Sequence, residues 1–314
     1  AAPPAEEMLA PADAPATPGA PRARPSRPNP ADAPGDDGVI KYQPATPEEH
    51  ARAIERARAR AAEVAQKLGV KLAEIQTDHF ILFTDWDPRE FNFLRENVEG
   101  AYTLVSKEFN LSPKDNIFVG KLPVFMFARQ SDFRRFAAEI DGFDMPDGVQ
   151  GYYRSRNDGM GHMAMPKPDL EGAGGNVRQA ELQWAYILTH EFVHAFVARY
   201  RTNGRVPRWL NEGTAELIAE SKFRRPDARR LARLIATGNR SIASVFDDRV
   251  MPGGEYYPVM MTLVEVLVVE DRRKFIEFFN ACKDGEDPEA ALKRLYGVDY
   301  AGLEDGWRRY ARGL

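Results

Sequence analysis

From Leu182 to Tyr200 the chain carries no Gly or Pro and is apolar or aromatic on nearly every turn. A segment that long and that apolar predicts a helix buried on most of its faces, so the rest of the chain has to supply its coat. Inside it stands His190-Glu191-Phe192-Val193-His194. On a helix, His190 and His194 are one turn apart on one face, so two imidazoles can grip one metal ion. Glu191 lies about 100° further round, beside such an ion but badly placed to be its ligand. That position suits a carboxylate acting on a metal-bound water.

Two His do not complete a catalytic zinc site, which takes three protein ligands and keeps a fourth position open. The third is offered by Pro207-Arg208-Trp209-Leu210-Asn211-Glu212-Gly213-Thr214-Ala215-Glu216. Pro207 and the residues after it read as the first turn of a second helix, where a missing N–H costs nothing. The chain between His194 and Glu212 suffices to finish one helix, turn through Thr202-Asn203-Gly204, and return. The expected ligands are therefore His190, His194 and Glu212. Glu216, one turn beyond Glu212, can accept the other ring N–H of a liganding His and set its tautomer.

His-Glu-x-x-His followed by Trp-Leu-Asn-Glu-Gly-x-Ala-Glu resembles the gluzincin zinc metallopeptidases, the clan of thermolysin and the aminopeptidase N family. The compact bacterial peptidase MA-like domains are the most similar, over roughly residues 75 to 285. The resemblance implies Zn2+ held by His190, His194 and Glu212, with Glu191 as general base on a zinc-bound water and a peptide or protein as substrate. It further implies a Tyr that donates its phenol to the tetrahedral oxyanion. Tyr257 is the candidate, at the start of an apolar helix containing Leu263, Val264 and Leu267, with Tyr256 in reserve. In the clan, an edge strand before the zinc helix pairs with the substrate backbone. Gly161-His162-Met163-Ala164-Met165 takes that place here, and His162 is a candidate to face the cleft. That strand has no acidic residue, so the aminopeptidase amine anchor is not implied. The alternative reading is a zinc-bearing domain that binds peptide or envelope partners without hydrolysis. A purely structural zinc is disfavoured because no Cys lies near the His.

Residues 1–44 are dominated by Ala, Pro, Asp and Arg and bury too little apolar surface to offset ordering entropy. They are expected to form a disordered tail or linker ahead of one domain, residues 45–314. A start at Ala1-Ala2-Pro3-Pro4 without Met, followed by an Ala/Pro-rich stretch, is what a processed, exported bacterial protein would present. A net charge of −4 with acids and bases interspersed gives no nucleic-acid footprint. No apolar run is long enough for a transmembrane helix. Cys282, the one cysteine, excludes an intrachain disulfide and reads as a small buried hydrophobe.

The remaining elements follow from pattern and punctuation. Thr46-Pro47-Glu48-Glu49 opens a helix running to Leu68, with His50 on its exposed first turn. His79 to Thr84 and Leu122 to Ala128 read as strands, with His79 structural. Helices are expected over Pro88–Phe109 and from about Ser131 to Ile140. Val149–Tyr153 and Gly161–Met165 flank Asn157-Asp158-Gly159 as a hairpin. Asp169–Asn176 reads as a flexible loop with the character of a lid. Arg224–Thr237 reads as a basic helix with a solvated face, and residues 271–314 as bracing helices. The predicted class is α+β: a small mixed sheet with a hairpin edge strand, packed on a zinc-binding helix, then a mostly helical C-terminal half.

Overall fold

The computed structural model describes residues 38–155, 161–223, 226–250 and 253–314. Residues 1–37 of the expected tail, and the Asn157-Asp158-Gly159 turn, lie outside them. Residues 38–44 do not behave as tail. Ile40 and Asn203 exchange hydrogen bonds, Lys41 bridges to Thr202, and the Tyr42 N–H donates to the Arg201 carbonyl at 2.8 Å. The apolar Val39-Ile40 and Tyr42 distinguish this strap from the Ala/Pro stretch before it.

Helix α1 (Pro47–Leu68) starts in a capping box, Thr46 and Glu49 each accepting the other's backbone N–H, and stops at Gly69 in the left-handed region. Its buried stripe Ala53, Ala57, Ala61, Val64, Leu68 follows the 3.6-residue period. His50, expected on the surface, is half-buried instead: its Nδ1 accepts the Gly120 N–H at 2.7 Å. Gly120 has φ +75°, and a Cβ there would lie 2.9 Å from the Ala53 Cβ, so the 113–121 loop can press against α1 only without a side chain.

Strands β1 (Ala73–Gln76), β2 (Phe80–Thr84), β3 (Leu122–Phe127), β4 (Tyr152–Arg154) and β5 (His162–Pro166) form one mixed sheet in the order β1-β2-β3-β5-β4. The β2–β3 and β3–β5 pairs are parallel and the two outer pairs antiparallel. β1 escaped the sequence reading because Ala-Glu-Ile-Gln has neither the length nor the β-branched content of its neighbours. Residues of β2, β3 and β5 alternate between two cores, as a pleat requires. Phe80, Leu82, Val124, Met126, Met163 and Met165 face one core, while Ile81, Phe83, Phe125, Phe127 and Ala164 face the one shared with α1. Both faces are covered, so these strands are apolar throughout.

On the first face lie α2 (Phe91–Glu108) and α4 (Val177–Arg199), with the short α3 (Gln130–Arg135) and the π turn Phe136–Ile140 on the other. Asn176 caps α4 through the Gln179 N–H. The helix is wedged between the sheet and α5 (Arg208–Lys222), which explains why it is apolar all round. Phe192, fully buried, meets Phe80 with ring centroids 5.2 Å apart, and the full burial of such a side chain is worth about 1.5–3 kcal/mol. The C-terminal half adds α6 (Pro226–Thr237), α7 (Tyr257–Glu270), α8 (Arg272–Lys283), α9 (Pro288–Tyr296) and α10 (Tyr300–Arg312). The architecture is the expected α+β one. The basic helix α6 is not wholly solvated, since Arg229 spans Glu220 and Glu265 at 3.0 and 2.7 Å. Among the described residues no helix is long and apolar enough to cross a membrane.

The edge assignment changes. β5, expected at the sheet edge, lies between β3 and β4, and the edge strand at that end of the sheet is β4. A hairpin pattern identifies two paired arms but not which of them finds a further partner. In this fold the parallel crossover from β3 claims β5.

Candidate metal centre

α4 and α5 are antiparallel neighbours across a tight interface, and α7 presses on α5 from the other side. Gly213 makes that second contact possible: a Cβ there would sit 2.3 Å from the Met260 carbonyl oxygen. With a larger residue α5 would have to move, and Glu212 with it.

The expected ligand set converges. His190 Nε2 and His194 Nε2 are 3.1 Å apart, and Glu212 Oε2 lies 3.4 and 3.5 Å from them. A triangle with those edges has a circumradius of roughly 1.9 Å, so a point about 2.1 Å from all three atoms lies just off their plane. That matches the bond lengths and the off-plane position of a small tetrahedral cation with three protein donors. Among the described residues His190, His194 and Glu212 form the one group of His, Cys, Asp or Glu with this convergence. The three side chains fit a divalent metal ion.

The outer ring nitrogens are oriented as well. His194 Nδ1 is 3.2 Å from Asn211 Oδ1, which favours a proton on Nδ1 and leaves the Nε2 lone pair free. Glu216 Oε1 stands 3.4 Å from His190 Nδ1, which has no aligned hydrogen bond, and Glu216 Oε2 accepts from the Tyr186 hydroxyl. Glu216 is thus beside the ring that it was expected to orient. Asn211 and Tyr186 were not foreseen as supports, although each has a local signal: Asn211 directly precedes Glu212, and Tyr186 is one turn before His190.

Glu191 is 9% exposed, and its Oε2 accepts the backbone N–H of Tyr153 in β4 at 2.9 Å. The base candidate therefore reaches the open side of the edge strand, while His190 and His194 face α5. Burial raises the Glu191 carboxyl above its ordinary value, although both imidazoles pull it back. For His194, burial alone would lower the pKa; the Glu212 carboxylate outweighs it and carries the ring up to about 9. Glu212 is likewise opposed by burial, yet the two imidazoles hold it well below the usual carboxylate range.

Tyr257 starts α7 and is buried. Burial, then the Glu212, Glu216 and Glu191 carboxylates, hold its phenol far above the normal tyrosine value, so it stays protonated. Its hydroxyl makes no hydrogen bond among the described residues. Tyr256, the reserve, faces elsewhere, with Arg240 over its ring at 5.3 Å.

His162 does not reach the cleft. It shares a strand with Met163 and Met165 but has the opposite parity, so it points into the core on the α1 side. There its Nε2 is 2.8 Å from Asp141 Oδ2, which also accepts from the Tyr152 hydroxyl at 2.6 Å. His79 is structural as expected, paired with Glu99 and stacked on Tyr102 at 3.5 Å. Cys282 is buried, and burial pushes its thiol up to about 12. No known family model matches this chain, and no curated protein matches it. The gluzincin resemblance therefore rests on the two sequence motifs.

Proposed function

We propose that this protein is a zinc-dependent peptide hydrolase. The carrying observation is the convergence of His190 Nε2, His194 Nε2 and Glu212 Oε2 with a second carboxylate, Glu191, next to them and outside the ligand set. An N/N/O donor set with an open position suits zinc, and a bound ion of this kind acidifies water and polarises a carbonyl.

The chain's own residues then divide the work. Glu191 takes the proton of the attacking water; its raised affinity for protons and the Tyr153 N–H on Oε2 leave Oε1 as the accepting atom. Tyr257, kept protonated, donates to the oxyanion of the tetrahedral species. β4, whose outward Tyr153 N–H is taken by Glu191, borders the path of an extended substrate. Asn211 orients the His194 ring, and the Glu216 carboxylate stands beside His190 Nδ1.

The burial of His190, Glu191 and Glu212 favours one second reading, a metal-bearing domain that binds peptide without turnover. Both readings require about one equivalent of zinc per folded chain, lost in His190→Ala. They part on a peptide-library cleavage screen. Hydrolysis by wild type and none by Glu191→Gln supports the hydrolase; metal with no cleavage by either leaves the binding domain. No metal after zinc addition overturns both.

A further inference from the structure

β4 is three residues long and, among the described residues, pairs with one strand only, β5. A strand that short is held weakly by its ladder alone. Yet its Tyr153 N–H is the group that holds Glu191. The strand also enters close to the motif helix: a Cβ on Gly151 would lie 3.0 Å from Ile187 Cγ2 and 3.3 Å from Met165 Cγ. Something besides the ladder must keep β4 in this position.

On the opposite face of the sheet, one carboxylate oxygen reaches both strands of the pair. Asp141 Oδ2 accepts from the Tyr152 hydroxyl at 2.6 Å and lies 2.8 Å from His162 Nε2. Tyr152 precedes Tyr153 on β4, and His162 stands across the ladder from Arg154. The two partners of Asp141 thus bracket Tyr153. Asp141 is itself fixed, its N–H donating to the Phe136 carbonyl at 3.2 Å. All three side chains are buried, with Phe133 and Phe143 on the Tyr152 ring and Phe125 and Phe136 edge-on to His162. Burial by itself would raise the Asp141 carboxyl; His162, Tyr152 and the Arg154 charge hold it below its ordinary value, so it stays ionised. A carboxylate among aromatic rings is costly where an apolar side chain could fill the space. What it adds is direction, because two hydrogen bonds to one oxygen fix where the strands lie.

We infer that Asp141 is a positioning residue for Glu191: from the face of the sheet away from the metal centre it anchors β4 through Tyr152 and His162, and so places the Tyr153 N–H that holds the base. The kinetic consequence rests on the hydrolase reading, whereas the placement of the N–H does not. Without the anchor β4 can shift on β5, and the Glu191 side chain loses the bond that sets which of its oxygens faces the water. A reacting group misplaced by about 1 Å can lose about 10²-fold in rate, so a buried contact on the far side of the sheet can bear on the chemistry.

The first test is amide hydrogen exchange at Tyr153, read by NMR, which needs neither metal nor turnover. Tyr152→Phe and Asp141→Ala should each speed exchange there by about tenfold, the weight of one hydrogen bond, with the α4 amides from Phe192 to Phe196 unchanged. Asp141→Asn, which can still accept from Tyr152, should restore most of the protection. Exchange within about twofold of wild type in both variants, or a rise shared equally by α4, overturns the anchor. Should Asp141→Ala fail to fold, Tyr152→Phe, which removes one hydroxyl, decides alone. The second test is kinetic. Tyr152→Phe should lower kcat by about tenfold at unchanged zinc affinity, and should leave the residual rate of Glu191→Gln as it is. An equal loss in both backgrounds overturns the link to the base. If wild type cleaves no peptide, the hydrolase reading falls, and exchange still decides whether Asp141 places the Tyr153 N–H.

Discussion

The Glu191 carboxylate accepts the backbone N–H of Tyr153 at 2.9 Å, joining the motif helix to the outermost strand of the sheet. The amide oxygen of a Gln could accept the same hydrogen bond. Glu191→Gln should therefore keep the fold and the metal while turnover falls by about 10²–10⁴-fold, the usual weight of a general base. Steady-state kinetics beside metal analysis check this, and a variant retaining wild-type turnover removes Glu191 as the base.

Metal affinity should rise with pH. In the metal-free protein His194 is carried up to about 9, so at neutral pH its ring holds a proton that must leave before Nε2 can coordinate. Affinity should climb about tenfold per unit toward pH 9 for each proton displaced, and calorimetry in buffers of different ionisation heat should record proton release. A flat profile from pH 6.5 to 9 would sink this account.

Asn211→Ala leaves the three donors in place and removes what holds the His194 ring. Zinc affinity should drop by about 10–100-fold with little change in unfolding midpoint. Competition with a chromogenic chelator measures the first, and an urea titration the second.

Gly213→Ala asks the α5–α7 interface to admit a methyl group 2.3 Å from a carbonyl oxygen. A loss of about 1–3 kcal/mol is expected from overpacking. Glu212 should shift with the helix, so weakened zinc binding should accompany the lost stability. Full stability and full affinity together would show that the backbone yields freely there.

Lys283, the last residue of α8, is buried against the end of α4, its Nζ donating to the Val197 and Gly204 carbonyls at 2.9 and 2.6 Å. Burial pushes its pKa down to about 7 from 10.5. Between those values the unfolded chain binds the proton and the folded chain does not, so stability rises with pH through the window and is flat below it, where both states hold the proton. The unfolding free energy of wild type minus that of Lys283→Met should increase by up to about 1.4 kcal/mol per pH unit from pH 7.5 to 9.5. A difference independent of pH means that the two carbonyls keep Lys283 charged.

Much of the fold was legible because it is local. Thr46-Pro47-Glu48-Glu49 capped α1, the apolar run made α4 central, and the short apolar, aromatic runs of β2 and β3 made strands. His162 went the other way: its candidacy rested on lying in the strand before the motif helix, and its parity along β5 turns it from the cleft into the opposite core. Residues 38–44 follow the Ala/Pro stretch directly, yet their apolar Val39, Ile40 and Tyr42 set them apart and a few hydrogen bonds to Arg201 and Asn203 place them.

The sequence by itself determined the metal-ligand candidates, because His190 and His194 are one helical turn apart and helical geometry alone puts them on one face. It also determined that a second Glu-bearing helix could return to them. Tertiary structure alone decided that β4, not β5, is the open edge beside Glu191, and that Tyr153 supplies the N–H there. These depend on which segments become neighbours across the fold, and spacing along a chain carries that information only when the partners share one helix or strand.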